Sequence, residues 1–148
     1  MDDTGDLILL AYSSVGTRRF EQSELVDLLS FARKFNESHG LTGMLLYVDG
    51  AFFQILEGAS RQLQDLYSRI EKDSWHSRVM KLLETPIEKR TFSAWSMGFA
   101  KVTRADLATI TGLNDFFGKG SSFSELETGK AKMLLEAFRE GKWRARLA

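Results

Sequence analysis

Two apolar runs separated by Asp49-Gly50 form the most strongly patterned stretch of the chain. Asp-Gly between apolar runs is a strong signal for a two-residue β-hairpin turn, and a type I′ turn pairs Val48 with Ala51 and Leu45 with Gln54. Because side chains alternate between the two faces of a strand, this register predicts a hairpin that is apolar on both faces. Both faces must then be covered, so we expect the hairpin in the middle of the structure. One face carries Leu45, Tyr47, Phe52, Gln54 and Leu56, and the other carries Met44, Leu46, Val48, Ala51, Phe53 and Ile55.

Hydrophobic periodicity predicts the remaining elements. Continuous apolar residues indicate a central strand, alternation indicates further strands, and apolar residues three or four apart indicate helices. The order β-α-β-β-α-β-β predicts an α+β fold of the ferredoxin-like, split βαβ type, with both helices on one sheet face and the first and third strands adjacent. The predicted strands are Leu7–Ser14, Arg78–Glu84 and Ala94–Ala100, the helices are Glu24–Asn36 and Ser60 (N-cap) to about Asp73, and Thr85–Thr91 is a connection.

Residues 103–148 predict a helical extension to a domain formed by residues 1–102. A short helix is expected over Asp106–Thr111, and a longer amphipathic one over Ser124–Gly141. The second face of the sheet would otherwise be bare, so we expect the longer helix to cover it. Its apolar stripe is Leu126, Met133, Leu134, Ala137 and Phe138.

Charge and composition exclude several classes of function. Among 148 residues, 20 basic and 20 acidic side chains cancel, so nucleic acid and anionic membranes have no electrostatic attraction to the chain. There is no cysteine and there are two histidines, which argues against thiolate chemistry and a metal site. No stretch approaches the ~20 apolar residues of a membrane span, and the acidic N-terminus lacks the basic lead of a signal peptide. We therefore expect a cytoplasmic protein that binds no metal, nucleic acid or membrane.

Three polar side chains converge in the predicted topology. Tyr12 and Gln54 lie on adjacent strands, and Asn36 projects from the core-facing stripe of the first helix. Each has an ordinary alternative, since buried tyrosines often bond to backbone and asparagine is common at helix ends. A buried amide without hydrogen-bond partners costs roughly 1–3 kcal/mol, however, so Gln54 needs polar groups around it. Together the three favour a pocket between the helices for a flat ligand with hydrogen-bonding edges.

The residues that bear these groups lie in motifs that follow one another along the chain. The motifs are LILLAYSS with Tyr12, FNESHGLTGMLLY with Asn36, AFFQILEG with Gln54, LYSRIEKDSWH with Arg69, Asp73 and His76, and FSAWSM with Trp95 and Met97. These motifs occur in the order of the BLUF family, the sensors of blue light using flavin, and at nearly the same spacing. The chain therefore resembles this family over Leu7 to about Val102. The resemblance implies that residues 1–102 are a flavin-binding photosensor domain.

The same resemblance implies a cofactor and a photochemical switch. A flavin, usually FAD with FMN or riboflavin possible, would lie noncovalently between the two helices. Tyr12 would give an electron and a proton to the excited flavin, and Gln54 would rotate or tautomerise while its hydrogen bonds to the flavin and to Tyr12 switch. Recombination would then leave a reversible red-shifted state. A phenol can lose both particles together, and an amide can exchange its donor and acceptor ends without changing charge. The implied contacts are Tyr12, Leu28, Asn36, Phe52, Gln54, Arg69, Asp73, His76 and Met97, with Trp95 and Met97, in no fixed order of distance from the flavin, relaying the signal.

Two positions depart from the family pattern. Trp75 stands where some relatives have arginine, and Phe35 stands where relatives often have a polar residue. Both bear on the expected phosphate and ribose contacts. For Arg69 the alternative is a surface ion pair with Asp73, worth only about 0.3–0.5 kcal/mol, and for His76 it is a solvated loop position.

Two other classes of protein share the predicted topology. An acylphosphatase-like enzyme needs an anion-cradling loop after the first strand, and residues 12–19 offer basic side chains without a convincing glycine cradle. A ferredoxin-like regulatory module that binds an amino acid or dimerises needs no tyrosine–glutamine pair. We expect a sensor rather than an enzyme, and the short extension implies signalling through a downstream protein partner or a homo-oligomer.

Overall fold

The computed structural model describes residues 6–16, 21–48, 50–72, 76–92, 98–100, 104–110, 113, 116 and 128–139. The strands are β1 (Leu7–Gly16), β2 (Thr42–Val48), β3 (Ala51–Ala59), β4 (His76–Pro86) and β5 (Gly98–Ala100). The helices are α1 (Gln22–His39), α2 (Ser60–Lys72), α3 (Arg104–Leu107) and α4 (Thr128–Arg139). Within these ranges no helix combines the length and the apolar character that a membrane span requires.

The strands form one sheet in the order β4-β1-β3-β2-β5. The first four are joined by antiparallel ladders, and β5 runs parallel to β2. This order places β1 beside β3 and confirms the predicted ferredoxin-like α+β fold. It also brings the middle of β1 against the middle of β3, where the polar residues of both strands lie.

The β2–β3 hairpin has the register that the sequence predicts. Val48 pairs with Ala51 and Leu45 with Gln54. Gly50 has a φ of 81°, the left-handed conformation that a type I′ turn requires, whereas Asp49 lies outside the described residues. At Gly43 the strands approach so closely that a Cβ would stand 2.1 Å from the main-chain oxygen of Ile55, so only glycine fits.

Both faces of the sheet are covered, as the two apolar faces of the hairpin predict. The first face packs under α1 and α2, and its buried residues include Ile8, Leu10, Tyr12, Leu25, Leu29, Leu45, Phe52, Leu56, Leu63 and Tyr67. The second face packs against the C-terminal helices, and its buried residues include Leu9, Ala11, Met44, Leu46, Phe53, Ile55, Leu107, Leu134 and Leu135. The expectation that the long C-terminal helix covers the second face is confirmed over Thr128–Arg139.

Some predicted boundaries and one residue of a predicted apolar stripe are wrong. β4 continues past Glu84 to Pro86, because Ile8 and Leu9 of β1 extend the ladder by pairing with Pro86 and Thr85. Proline is tolerated there since β4 is the edge strand of the described sheet. The helix α2 begins at Ser60 itself, so Ser60 is not its N-cap. In the predicted stripe of the long helix, Leu134 and Ala137 are buried as expected, whereas Met133 is 43% exposed. Ala131 and Leu135 are buried in addition, and Leu126 and the side chain of Phe138 lie outside the described residues.

Candidate functional site

A pocket of about 320 Å³ opens between α1 and α2, with its floor on β1, β2 and β3. Six of the residues that the sequence singles out line it: Tyr12, Leu28, Asn36, Phe52, Gln54 and Arg69. Six further lining residues were not predicted: Phe31, Ala32, Phe35, Leu45, Leu66 and Ile70. The wall is therefore mostly apolar, with a small number of polar groups at its floor and rim. Such a composition suits a flat aromatic ligand with polar edges.

Tyr12 and Gln54 are directly bonded at the floor of the pocket. They are a cross-strand pair of β1 and β3 and share the helix-covered face. The Tyr12 hydroxyl donates a hydrogen bond to Gln54 Oε1, and both side chains are buried. An amide that accepts through Oε1 presents its donor end, Nε2, on the other side of the group. Gln54 therefore both bonds to the phenol of Tyr12 and lines the pocket.

A second tyrosine packs against Tyr12. The ring of Tyr67, on α2, meets the ring of Tyr12 edge to face, with centroids 5.9 Å apart and an interplanar angle of 74°. Burial raises the pKa of the Tyr67 hydroxyl, and the Glu71 carboxylate adds to the rise against a smaller opposing hydrogen bond from the Lys81 backbone. The Tyr67 phenol is therefore neutral at physiological pH.

The backbone at the end of α1 holds Asn36 at the inner end of the pocket. The side chain is 1% exposed. The main-chain oxygen of Asn36 accepts a hydrogen bond from Leu41 N–H at 2.8 Å. Gly40, with a φ of 67°, forms the left-handed cap of the helix. Glycine in this conformation turns the chain directly into β2, so Asn36 sits in the last ordered turn, facing the sheet.

Aromatic side chains on α1 form the outer rim of the pocket. The rings of Phe31 and Phe35 are stacked at 6.5 Å, and those of Phe35 and His39 at 4.0 Å. The Arg69 guanidinium of α2 lies 5.6 Å from the Phe35 centroid, a cation–π distance that links the two helices across the opening. Phe31 is 69% exposed although it lines the pocket, so the rim is open to solvent.

The remaining predicted site residues lie wholly or partly outside the described residues. Asp73, Trp95 and Met97 lie outside the described residues, and so do residues 17–19 of the loop that an acylphosphatase-like enzyme would need. For His76 the structure describes the backbone, which begins β4 and pairs with Gly16. In the ranges that are described, no three metal-ligating side chains lie close enough together to hold a metal ion.

The chain is an α+β domain with a pocket between two helices and a sheet, and the lining of that pocket suits a flat, polar-edged small molecule. A sequence model of the BLUF family, described as sensors of blue-light using FAD, matches residues 7–98. The chain belongs to this family, whose domains are flavin-binding blue-light photoreceptors.

Similar proteins agree with this assignment. The chain is 36% identical over 129 residues to the photoactivated adenylate cyclase subunit beta of Euglena longa, covering 84% of this chain and 15% of that protein. It is 30% identical to the BlsA ground-state structure, with a TM-score of 0.74 and coverage of 90% of this chain and 87% of that one. The dark-state structure of the BLUF protein BlrB is 25% identical, with a TM-score of 0.72 and coverage of 92% and 97%. The chain thus spans a small part of the cyclase and most of the two solved structures.

Proposed function

We propose that this chain senses blue light through a flavin held between α1 and α2, and that the Gln54 amide is the part that switches. The observation that carries the proposal is the hydrogen bond from Tyr12 to Gln54 Oε1 at the floor of the pocket. It joins a phenol, which can lose an electron and a proton, to an amide that can exchange its donor and acceptor ends. The experiment that tests it is the absorption spectrum of the flavin-loaded protein, which should move to longer wavelength under blue light and recover in darkness. A spectrum that light leaves unmoved would contradict the proposal.

The lining of the pocket fits a flavin ring. Apolar walls from α1 and α2 can cover the two faces of a planar ring, and polar groups at the floor can meet its edge. Asn36 and Gln54 would hold the carbonyl and imide edge, while Arg69 at the rim would meet the polar chain of the cofactor. When bound, the flavin supplies absorption of blue light and the capacity to accept an electron and a proton.

The chain's own residues hold the proton and keep water out. Tyr12 keeps its proton on the hydroxyl oxygen, directed at Gln54 Oε1, until an electron leaves the ring. The proton would follow the electron to the flavin, Gln54 would turn or tautomerise to present its opposite end to Tyr12, and the electron and the proton would both return to Tyr12, so the net charge is unchanged. Because both side chains are buried, water does not compete for these hydrogen bonds.

We propose FAD as the cofactor, in keeping with the description of the family, with FMN and riboflavin as alternatives. The open rim beside Phe31 leaves room for a long cofactor to extend into solvent. Chromatography of the flavin released from purified protein identifies it. Colourless protein that no flavin reconstitutes would instead favour the enzyme or regulatory-module alternatives.

Replacing Asn36 with alanine should weaken flavin binding about tenfold, the effect of losing one or two buried hydrogen bonds. The measurement is a titration of the flavin-free protein with riboflavin, followed by flavin fluorescence. Ser30→Ala is the matched control, because Ser30 is exposed on the same helix and absent from the pocket lining. Equal affinity of Asn36→Ala and the control would remove Asn36 from the site.

The output surface that we propose is the C-terminal layer, acting on a protein partner or a second copy of the chain. Gln54 faces α1 and α2, while its neighbours Phe53 and Ile55 pack in the core that holds Leu134 and Leu135 of α4. Interiors are close-packed, so a rearrangement of β3 is felt in the layer beneath it.

Light should therefore change backbone protection in α4 more than in α2. Hydrogen–deuterium exchange in dark and illuminated protein measures this, with Gln54→Leu as the control in which no difference should appear. Identical exchange of α4 in dark and light, in a protein whose spectral shift is intact, would make α4 a passive cover and move the output to another surface.

A further inference from the structure

The outer rim of the pocket carries an aromatic side chain that is largely open to solvent. Phe31 is 69% exposed, the highest value among the large apolar side chains of the described residues, and it also lines the pocket. Single exposed apolar side chains are common on protein surfaces. Phe31 differs from such a residue because its ring belongs to a stacked series at the mouth of the pocket, so its exposed surface continues the apolar wall outward.

The stacked series runs along one side of α1. Phe31, Phe35 and His39 are four residues apart, the spacing at which helical side chains are neighbours. The ring of Phe35 stacks with that of His39 at 4.0 Å and with that of Phe31 at 6.5 Å, at interplanar angles of 12° and 27°. Phe35 is thus flanked by rings, whereas Phe31 ends the series and is mostly exposed. The exposed ring of Phe31 can accept one further planar group.

A positive charge lies beside the same series. The guanidinium of Arg69, an exposed residue of α2, lies 5.6 Å from the centroid of the Phe35 ring. Arginine binds phosphate groups well, because its planar set of N–H donors matches their oxygens. The rim therefore places a phosphate-binding group next to a surface that suits a planar aromatic group.

The volume of the pocket limits how much of a cofactor it can enclose. At about 320 Å³ it lies at the small end of the ~300–1,000 Å³ that ligand pockets usually have. A tricyclic flavin ring suits a pocket of that size, whereas a dinucleotide adds a second base, two phosphates and two sugar-derived units. The greater part of FAD must therefore lie at the rim, where Phe31 and Arg69 are exposed.

We propose that the rim is a subsite for the adenylate half of FAD, with the adenine ring stacked on Phe31 and the diphosphate beside Arg69. In this arrangement the flexible chain of the dinucleotide bends back over α1, and the flavin ring stays in the pocket. The subsite rests on the proposed binding of a flavin. It adds a physical reason for this chain to select FAD over FMN, which has no adenine.

The first test is a competition between FAD and FMN for the purified protein. The protein is equilibrated with equal free concentrations of the two flavins, and chromatography of the bound flavin gives their ratio. Stacking a base on an aromatic side chain changes affinity by about tenfold, so wild type should hold about ten molecules of FAD for each FMN. Phe31→Ala should hold the two about equally. Because both flavins report on the same protein, any change in the stability of the fold cancels in the ratio.

Two variants serve as controls for the competition. Val26→Ala removes an apolar side chain that is 53% exposed on the same helix and is absent from the pocket lining, so it should keep the wild-type ratio. Phe31→Tyr retains a ring that can stack and should also keep it. A preference that tyrosine retains and alanine loses belongs to the aromatic ring, and not to a change in α1.

The second test detects the stacked contact directly. In protein loaded with FAD, we expect nuclear Overhauser effects between the adenine protons H2 and H8 and the ring protons of Phe31. These effects should vanish in Phe31→Ala. Adenine resonances at the positions of free FAD, in protein that holds the flavin ring, would contradict the stacking.

The outcomes of the competition separate the subsite from flavin binding itself. Equal binding of FAD and FMN by wild type would overturn the subsite alone, and so would a preference that Phe31→Ala leaves unchanged. Weaker binding of both flavins in Phe31→Ala at an unchanged ratio would show that Phe31 covers the flavin ring instead. A wild-type protein that binds neither flavin would contradict the proposed function and the subsite with it.

Discussion

Replacing Gln54 with leucine should abolish the light-induced red shift of the bound flavin and leave the flavin in place. Leucine fills a similar volume but has neither donor nor acceptor, so nothing at this position can change its hydrogen bonding. The variant leaves the Tyr12 hydroxyl without the acceptor it has in the structure, at a cost of roughly 1–3 kcal/mol. That is less than the usual 5–15 kcal/mol stability of a domain, so the fold should persist.

The measurement is the light-minus-dark absorption difference of purified Gln54→Leu at full flavin occupancy. Gln64→Leu is the matched control, because Gln64 is an amide on α2 that bonds to Glu84 at the surface and does not line the pocket. The control should shift normally. A full and reversible shift in Gln54→Leu would remove this amide from the switch.

Replacing Tyr12 with phenylalanine should keep the flavin bound and block productive photoconversion. Phenylalanine retains the buried ring and its edge-to-face contact with Tyr67 but has no hydroxyl proton to give. The expected result is the loss of the red-shifted state, with the dark spectrum nearly unchanged. Flavin fluorescence should rise, because the excited state loses its route through Tyr12.

Tyr67→Phe is the control that separates Tyr12 from any nearby phenol. The ring centroids of Tyr67 and Tyr12 are 5.9 Å apart, and the raised pKa of Tyr67 keeps its phenol neutral. The acceptor Gln54 Oε1, however, is bonded to Tyr12. Tyr67→Phe should therefore photoconvert. Normal conversion in Tyr12→Phe would show that Tyr12 is not the donor. Loss of conversion in Tyr67→Phe alone would assign the donor role to Tyr67.

The sequence predicts the centre of this fold well because local rules determine it. Asp49-Gly50 fixes the hairpin register, and a period of two then assigns each side chain to a face. The same periodicity, with the β1–β3 adjacency of the split βαβ topology, places Tyr12 and Gln54 in contact although they are 42 residues apart. Two independent local patterns meet in one topology, so the floor of the pocket can be predicted.

The hydrogen bonds of the buried Glu57 carboxylate and the aromatic rim of the pocket could not be predicted by the same route. The partners of Glu57 at Thr91 and Phe92 come from a connection without periodicity, 34 and 35 residues away. One signal was available. Glu57 is the only charged residue on β3 and, like Gln54, needs hydrogen-bond partners when it is buried. On α1, Phe35 belongs to the apolar stripe and Phe31 does not, so the pattern does not show that both rings line the same pocket, with Phe31 69% exposed.

Infrared difference spectroscopy on protein labelled with ¹³C at the glutamine side-chain carbonyl tests the central claim most directly. Among the described residues that line the pocket, Gln54 is the only glutamine, so a label-sensitive carbonyl band in the light-minus-dark spectrum reports on it. We predict such a band pair, appearing with the red shift and decaying with it in darkness. A complete, reversible red shift without any label-sensitive carbonyl band would contradict the account, because the switch would then run without a change at Gln54.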